Sequence, residues 1–221
     1  MEDFGIVTLG IIGLNVLVSY TGFNNQNFFQ NNLFQVNKIL VGREYKRMVT
    51  SGFLHADWGH LLFNMISFYS FSASLEGYLG TIRFLLLYFI SLIGGNLLSL
   101  FIHQHHGNYR AVGASGAVCG IIFAAIALFP GIEIGFIFIP IPIPGWIFGI
   151  IYALYTIYGI KSNLGNIGHE AHLGGGIIGL VVAIILVPTV LTTNLFAISM
   201  IAIPTLGFII VLIVKPGLLI K

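Results

Sequence analysis

Apolar residues fall into seven long runs along the chain, separated by shorter polar or proline-containing stretches. A helix that crosses lipid needs about 20 predominantly apolar residues. The runs cover about residues 4–20, 59–78, 82–102, 115–129, 145–160, 171–190 and 194–214. We therefore predict about seven membrane-spanning helices. The fourth and fifth runs are short, which suits helices that end below the membrane surface and shelter a water-filled pocket.

The connections between the runs differ in character. Residues 21–58 mix Phe, Leu and Val with Asn and Gln, which predicts a segment at the membrane interface. Residues 131–145 alternate Ile with Pro, a pattern that forbids a regular helix and predicts an extended connection packed on protein. Residues 161–170 are polar and contain glycine, so this loop could move as a lid.

Composition agrees with a protein whose solvent is lipid. Hydrophobic residues make up 57% of the chain, charged residues 7%, and the mean hydropathy is +0.99. A soluble domain carries about 25% charged residues. The net charge of +2 does not favour a nucleic-acid partner. The single cysteine, Cys119, allows no internal disulfide. The first run follows Glu2 and Asp3, so we expect a retained span and not a cleaved signal peptide.

Several polar side chains lie within or beside the apolar runs, where an unsatisfied polar group is costly. His60 and Asn64 are four residues apart and share one helix face. Ser115 lies in "GASG", His172 in "GHEAHLGGGIIG", and Glu76 near the end of the second run. Each has a structural interpretation as well as a functional one. Ser115 could be a small packing residue. The two histidines and Asn64 could bond to neighbouring helices, and Glu76 could cap or pair at its helix end.

Glycine spacing favours the functional interpretation of the serine and the second histidine. Two pairs of glycines have the small-xxx-small spacing of close helix contacts: Gly116 with Gly120, and Gly175 with Gly179. Ser115 immediately precedes the first pair, and His172 lies three residues before the second. If the two faces pack together, the hydroxyl and the imidazole meet just below the membrane surface.

A hydroxyl beside an imidazole is an activated nucleophile, because the base removes its proton as attack proceeds. The oxyanion that forms needs hydrogen-bond donors. His60 and Asn64 supply two side chains, and the backbone N–H of Ser115, near a helix N-terminus, supplies another. We expect no metal and no cofactor. His169 and His172 are three residues apart, so the HExxH spacing is missing, and the histidines of 103–106 are typical of a solvated loop.

The motifs "HADWGHLLFN", "GASG" and "AHLGG", in this order, resemble those of rhomboid intramembrane serine proteases. The resemblance runs from about Arg47 to Gly179. It implies an all-α polytopic membrane protein with a six-helix core, and the run at 194–214 is then an added seventh helix. We expect a single membrane domain over residues 1–221, with the family-like core at about 40–190.

The resemblance also implies roles for individual residues. Ser115 matches the nucleophile and His172 its general base and acid. His60 and Asn64 match the oxyanion-stabilising pair, with the Ser115 amide as a further donor. Other residues match supporting positions of the family. Gly113 is the first glycine of the GxSG loop, and Arg47 and His55 belong to the first loop. The helix contact is formed by Gly116, Gly175 and Gly179. Two positions depart from the family pattern: Lys46 replaces an expected tryptophan, and Cys119 replaces an aromatic residue that stacks on the histidine.

The predicted activity is hydrolysis of peptide bonds in or near membrane segments of other proteins, within the lipid bilayer. Segments with Gly, Ala or Pro should be cut best, because they unwind easily. A dyad without a carboxylate predicts a slow enzyme. We expect the loop at 161–170 and the fifth span to form the gate. Two alternatives remain: an inactive rhomboid-like protein that binds membrane helices, and a small transporter with charged residues paired inside its spans.

The resemblance and the distribution of charges favour opposite orientations in the membrane. We expect a multi-pass protein of a bacterial plasma membrane, and the oligomeric state stays open. With the N-terminus inside, as the resemblance implies, eight of the nine Lys and Arg lie outside and only Arg83 lies inside. The positive-inside rule favours the opposite orientation. Because several of these charges lie in the interfacial segment, we expect the N-terminus inside.

Overall fold

The fold is built from long apolar helices with short polar connections. The computed structural model describes residues 5–136, 139–162 and 167–214. Its long helices are α1 (Ile6–Asn24), α5 (Trp58–Leu79), α6 (Thr81–Ile102), α7 (Ser115–Leu128), α8 (Gly145–Ser162), α9 (His169–Leu186) and α11 (Leu195–Val214). Short helices are α2 (Gln26–Asn32), α3 (Val36–Leu40), α4 (Arg47–Thr50) and α10 (Val190–Thr193), with a 3-10 turn at Ser51–Phe53. The prediction of an all-α polytopic membrane protein is confirmed.

Each of the seven predicted spans is a helix in the structure. In the described part of the chain, α1, α6, α9 and α11 are long and apolar enough to cross a membrane. Helix α7 has 14 residues and is therefore about 21 Å long, less than the roughly 30 Å of a hydrocarbon core. Every residue of α7 after Ser115 is buried. The short helix is thus the centre of the bundle, enclosed by α5, α6 and α9.

Glycine allows α7 and α9 to touch backbone to backbone. A Cβ at Gly175 would overlap the carbonyl group of Gly116, and one at Gly179 would overlap the backbone of Gly120. Small residues at such positions let helices approach closely in a membrane. The two glycine pairs therefore face each other, as the small-xxx-small spacing predicts.

Arg47 holds the segment between α1 and α5 in place. Its side chain is buried, donates to the carbonyls of Gln30 (2.8 Å) and Leu33 (2.7 Å), and pairs with Glu44 at 2.8 Å. The hydrogen bond from Arg47 lowers the pKa of the Glu44 carboxyl. Lys46, at the position where the family pattern has tryptophan, is exposed. Together with the Thr50 hydroxyl, which donates to the Asn32 carbonyl at 2.8 Å, the arginine thus anchors the backbone at the end of α2.

A short sheet links the same segment to the loop that precedes α7. Strand β1 (Phe34–Gln35) pairs antiparallel with β2 (Arg110–Ala111), and Phe34 lies opposite Ala111. Phe34 is fully buried and its ring meets Tyr109 edge to face. The segment therefore helps to position the chain just before Ser115. Its predicted location at the membrane interface stays a prediction.

The Ile- and Pro-rich connection forms a hairpin. Strand β3 (Glu133–Phe136) pairs antiparallel with β4 (Ile139–Pro144), with an irregularity between Ile134 and Phe136. The backbone is extended, as the alternating prolines predict. Four residues of the predicted lid, 163–166, lie outside the described residues.

Glu76 caps a helix other than its own. Its carboxylate accepts hydrogen bonds from the backbone of Val7 (3.0 Å) and Thr8 (2.8 Å) and from the Thr8 hydroxyl (2.8 Å), in the first turn of α1. The first N–H groups of a helix lack partners within it, and a negative charge there is favoured. Of the two structural roles suggested for Glu76, capping is the one observed, and it ties α1 to α5.

Candidate active site

Ser115 and His172 meet at one end of the glycine contact. Ser115 is the first residue of α7, and His172 lies in the first turn of α9. The distance between Ser115 Oγ and His172 Nε2 is 2.7 Å, a short hydrogen bond. Both side chains are partly exposed, although the rest of α7 is buried. The two groups predicted to form a nucleophile and its base are therefore within proton-transfer distance.

Gly113 shapes the loop that leads to the serine. Its backbone φ of 130° lies in a region that residues with a side chain rarely adopt, which explains why glycine is needed there. A Cβ at this position would lie 2.9 Å from His60 Nε2 and 3.6 Å from Ser115 Oγ. The missing side chain thus leaves room between the serine and His60. This space is where a substrate carbonyl could enter.

His60, in the first turn of α5, borders this space, and Asn64 lies one helical turn further along the same helix. Asp57 caps α5 by accepting from the His60 N–H at 2.8 Å. The Ala56 N–H faces His60 Nδ1 at 3.5 Å, an arrangement that leaves the imidazole hydrogen on Nε2, the nitrogen nearest Gly113. Asn64 donates one amide hydrogen to the His60 carbonyl at 2.9 Å and retains a second.

The backbone amide of Ser115 is another potential donor. It lies in the first turn of α7, where helix N–H groups have no partner within the helix. The structure therefore brings together Ser115, His172, His60 and the Gly113 loop around one space. Asn64 lies one helical turn from His60 along α5 and is joined to it by the bond to the His60 carbonyl.

His55 holds the loop before Ser115 in place through hydrogen bonds. It is fully buried, its Nδ1 lies 2.9 Å from the Ser19 hydroxyl, and its Nε2 accepts from the Ala114 N–H at 3.5 Å. The Ser19 hydroxyl in turn donates to the carbonyl of Phe53 at 3.0 Å. Burial is the main cause that lowers the pKa of His55 to about 3. The imidazole is therefore neutral and joins α1 to the loop before Ser115.

Tyr152 is a residue of this site that the sequence reasoning missed. Its hydroxyl lies 3.0 Å from His172 Nδ1 and 3.0 Å from Cys119 Sγ. The Tyr152 and His172 rings are close to parallel, 22° apart with centroids separated by 6.2 Å. The segment that contains it, "GWIFGIIYALYTIYG", holds three tyrosines, and nothing in their spacing distinguishes Tyr152 from the others.

The loop histidines considered for metal binding have other partners. His103 lies 3.1 Å from Glu170 and stacks on Tyr109 at a centroid distance of 3.6 Å. Burial, with Glu170 nearby, raises the pKa of the Tyr109 hydroxyl. Across the described ranges, no group of three or more His, Cys, Asp or Glu side chains is placed to hold a metal ion.

Comparisons with known proteins agree with the motif order. The family model described as "Rhomboid domain" matches residues 42–189. The chain is 32% identical over 186 residues to "RHOMBOID-like protein 12, mitochondrial" of Arabidopsis thaliana, covering 76% of this chain and 55% of that protein. It is 32% identical over 136 residues to "Rhomboid protein 1, mitochondrial" of Saccharomyces cerevisiae, covering 60% and 39%. It is 45% identical over 76 residues to "Rhomboid-like protease 3" of Toxoplasma gondii, covering 34% and 28%.

These matches cover only part of the relatives. The chain spans about half of the Arabidopsis protein and less of the yeast protein. Both are named mitochondrial, so the comparisons do not support the bacterial plasma membrane expected from the sequence. The coarser prediction of a multi-pass membrane protein agrees with the apolar helices and with the family match.

Proposed function

Because this chain belongs to the rhomboid family, we propose that it is an intramembrane serine endopeptidase with Ser115 as nucleophile and His172 as base. The observation that carries the proposal is the 2.7 Å contact between Ser115 Oγ and His172 Nε2, made where two helices touch through glycine. A packing serine would have no need of an imidazole aligned on its hydroxyl. The relative named a protease supports the same activity.

The first chemical step follows from the placement of these atoms. His172 Nε2 takes the proton of Ser115 Oγ while the oxygen attacks the substrate carbonyl. Negative charge then develops on the carbonyl oxygen, in the space beside Gly113. His60 Nε2–H and the Ser115 N–H are the donors at this space, and the remaining Asn64 amide hydrogen, one helical turn from His60, is the third proposed donor. Each such donor contributes about 10²–10³ in rate where the geometry is good.

The second step returns the proton. His172 protonates the leaving amine, and the acyl group stays on Ser115 until water, deprotonated by the same histidine, hydrolyses it. Water reaches the pair because Ser115 and His172 are partly exposed. The short α7 is consistent with this, since a helix of about 21 Å leaves room for one end to lie below the surface of a bilayer core about 30 Å thick.

The proposed substrates are membrane-spanning segments of other proteins. A stable helix hides its carbonyls in hydrogen bonds, so segments with Gly, Ala or Pro should be cut best. We include in the proposal that substrate enters beside α8, the predicted gate.

The test is cleavage of a single-span substrate in liposomes by the parent and by Ser115→Ala. We expect the parent to cut and the variant to lose at least about 10³-fold in rate, because removing a triad or dyad member leaves only the contribution of the donors. Ser70→Ala is the matched control. Its hydroxyl is exposed on α5 and bonds only within its own helix, to Ile66.

Three results would contradict the proposal. Equal cleavage by the parent and Ser115→Ala would exclude this serine as the nucleophile. Binding of spans by both proteins without cleavage would favour the inactive rhomboid-like alternative. Solute flux without cleavage would favour the transporter.

A further inference from the structure

A hydrogen-bonded chain continues from Ser115 through His172 to two residues that have no assigned role. Tyr152 Oη lies 3.0 Å from His172 Nδ1 and 3.0 Å from Cys119 Sγ. The Tyr152 ring is held on two sides, by a stacked Phe148 at 5.7 Å and by an edge-to-face Phe123 at 6.3 Å between centroids. Its hydroxyl is therefore fixed in position between the imidazole and the thiol.

The direction of the hydrogen bonds decides whether the dyad can work. A neutral imidazole carries one hydrogen, and the nitrogen without it is the acceptor. To take the serine proton, His172 Nε2 must be bare, so the hydrogen must be on Nδ1. Nδ1–H then donates to Tyr152 Oη, and the single phenolic hydrogen must point elsewhere. Cys119 Sγ is the acceptor within reach, although sulfur is a weak one.

The opposite direction would disable the base. If Tyr152 donated its hydrogen to Nδ1, the imidazole hydrogen would be on Nε2. That nitrogen could then no longer accept the proton of Ser115. The thiol therefore has a specific effect: it gives the phenolic hydrogen a place to go other than His172.

We propose that Tyr152 and Cys119 form a positioning pair that keeps the hydrogen of His172 on Nδ1 and the ring aimed at Ser115. This inference rests on the proposed function. The pair also accounts for the cysteine at this position, where the family pattern has an aromatic residue. Cys119 Sγ is 3.0 Å from Tyr152 Oη, so a large ring at residue 119 would occupy the space that the phenol of α8 fills.

Tyr152→Phe tests the pair with the least structural change, because the ring and its contacts remain. A hydrogen bond to a group that becomes charged contributes enough to change a rate by roughly 10- to 100-fold. We expect kcat to fall by that factor with KM unchanged within about twofold. Tyr158→Phe, at an exposed position two turns along α8, is the control and should match the parent.

Cys119 variants separate positioning from packing. Cys119→Ala removes the acceptor, so Tyr152 can turn its hydrogen to His172, and kcat should fall severalfold. Cys119→Ser restores an acceptor of similar size and should recover most of that loss. If Ala and Ser behave alike, the thiol acts by volume only and the proposed role of Cys119 is wrong.

A spectroscopic measurement distinguishes failure of this inference from failure of the proposed function. In protein labelled with ¹⁵N-histidine, the His172 signals are identified by their loss in His172→Ala. We expect the Nδ1–H tautomer in the parent and a mixture of tautomers in Tyr152→Phe, whether or not a substrate is cut. An Nε2–H tautomer in the parent, or a kcat in Tyr152→Phe equal to or above that of an active parent, overturns the proposal.

Discussion

The spacing of α7 and α9 at Gly179 can be tested with a single methyl group. In Gly179→Ala the new Cβ would lie 2.6 Å from the carbonyl carbon of Gly120 and would overlap its Cα. Carbon atoms in a packed interior sit about 3.5–4.0 Å apart, so the helices must separate by about 1 Å. The neighbour is backbone, and no rotamer change can relieve the overlap.

The displacement should reach the catalytic pair. Gly179 is about two helical turns from His172, so the added methyl group touches no reacting atom. A shift of about 1 Å in a catalytic pair can cost about 100-fold in rate. It would also lengthen the 2.7 Å contact between Ser115 and His172. Overpacking of this kind destabilises a fold by about 1–3 kcal/mol.

Two other glycines in helices serve as controls. Nothing lies within 4 Å of a Cβ added at Gly13 in α1 or at Gly207 in α11. Alanine at either position should stabilise its helix by about 0.5–1 kcal/mol and leave kcat unchanged. The assay is the initial rate of cleavage in liposomes, with thermal unfolding in detergent measured on the same samples. If Gly179→Ala cuts and unfolds like the parent, the glycine contact does not set the alignment and the reasoning is refuted.

Two further predictions concern buried polar groups that are not members of the Ser115–His172 pair. The pKa of His55 is about 3 in the fold and 6.5 as its ordinary value, so between these values the unfolded chain binds more protons. Its contribution to stability is full above pH 6.5 and falls as the pH drops toward 3, by up to about 1.4 kcal/mol per pH unit. The difference in the free energy of unfolding between pH 5 and pH 7 should be smaller in His55→Gln than in the parent. The control His105→Gln, at an exposed position, should show the same difference as the parent. Glu76→Gln should lower the free energy of unfolding by about 1–3 kcal/mol, because its hydrogen bonds to α1 become weaker. Cleavage and solute permeability should stay unchanged. The control Glu133→Gln should unfold like the parent.

The sequence was sufficient to predict the long helices and the meeting of Ser115 with His172. Runs of about 20 apolar residues have few alternatives to a membrane helix. The glycine spacing then limits which helix faces can touch, and Ser115 and His172 follow from their places beside Gly116 and Gly175. Even the short α7 was visible as a shorter apolar run.

Contacts between distant segments could not be predicted in the same way. Glu76 caps α1 from 68 residues away, and this depends on how the two helices meet. The hairpin at 133–144 was predicted only as an extended chain, because pairing depends on register and not on composition. Tyr152 was missed for a similar reason. An aromatic residue in an apolar helix carries no local sign of which histidine its hydroxyl will meet.

If Tyr152 is the partner of His172, as proposed, a phenol has a physical advantage over a carboxylate at this position. A carboxylate on Nδ1 would stabilise the imidazolium more strongly, as in a Ser-His-Asp triad. In a lipid-surrounded bundle, however, an ionised carboxylate is expensive to bury, because its desolvation can exceed the gain from pairing. The Tyr152 hydroxyl accepts the same hydrogen without a formal charge. The enzyme would then retain the correct tautomer and aim of its base while giving up part of the rate that a charged partner provides.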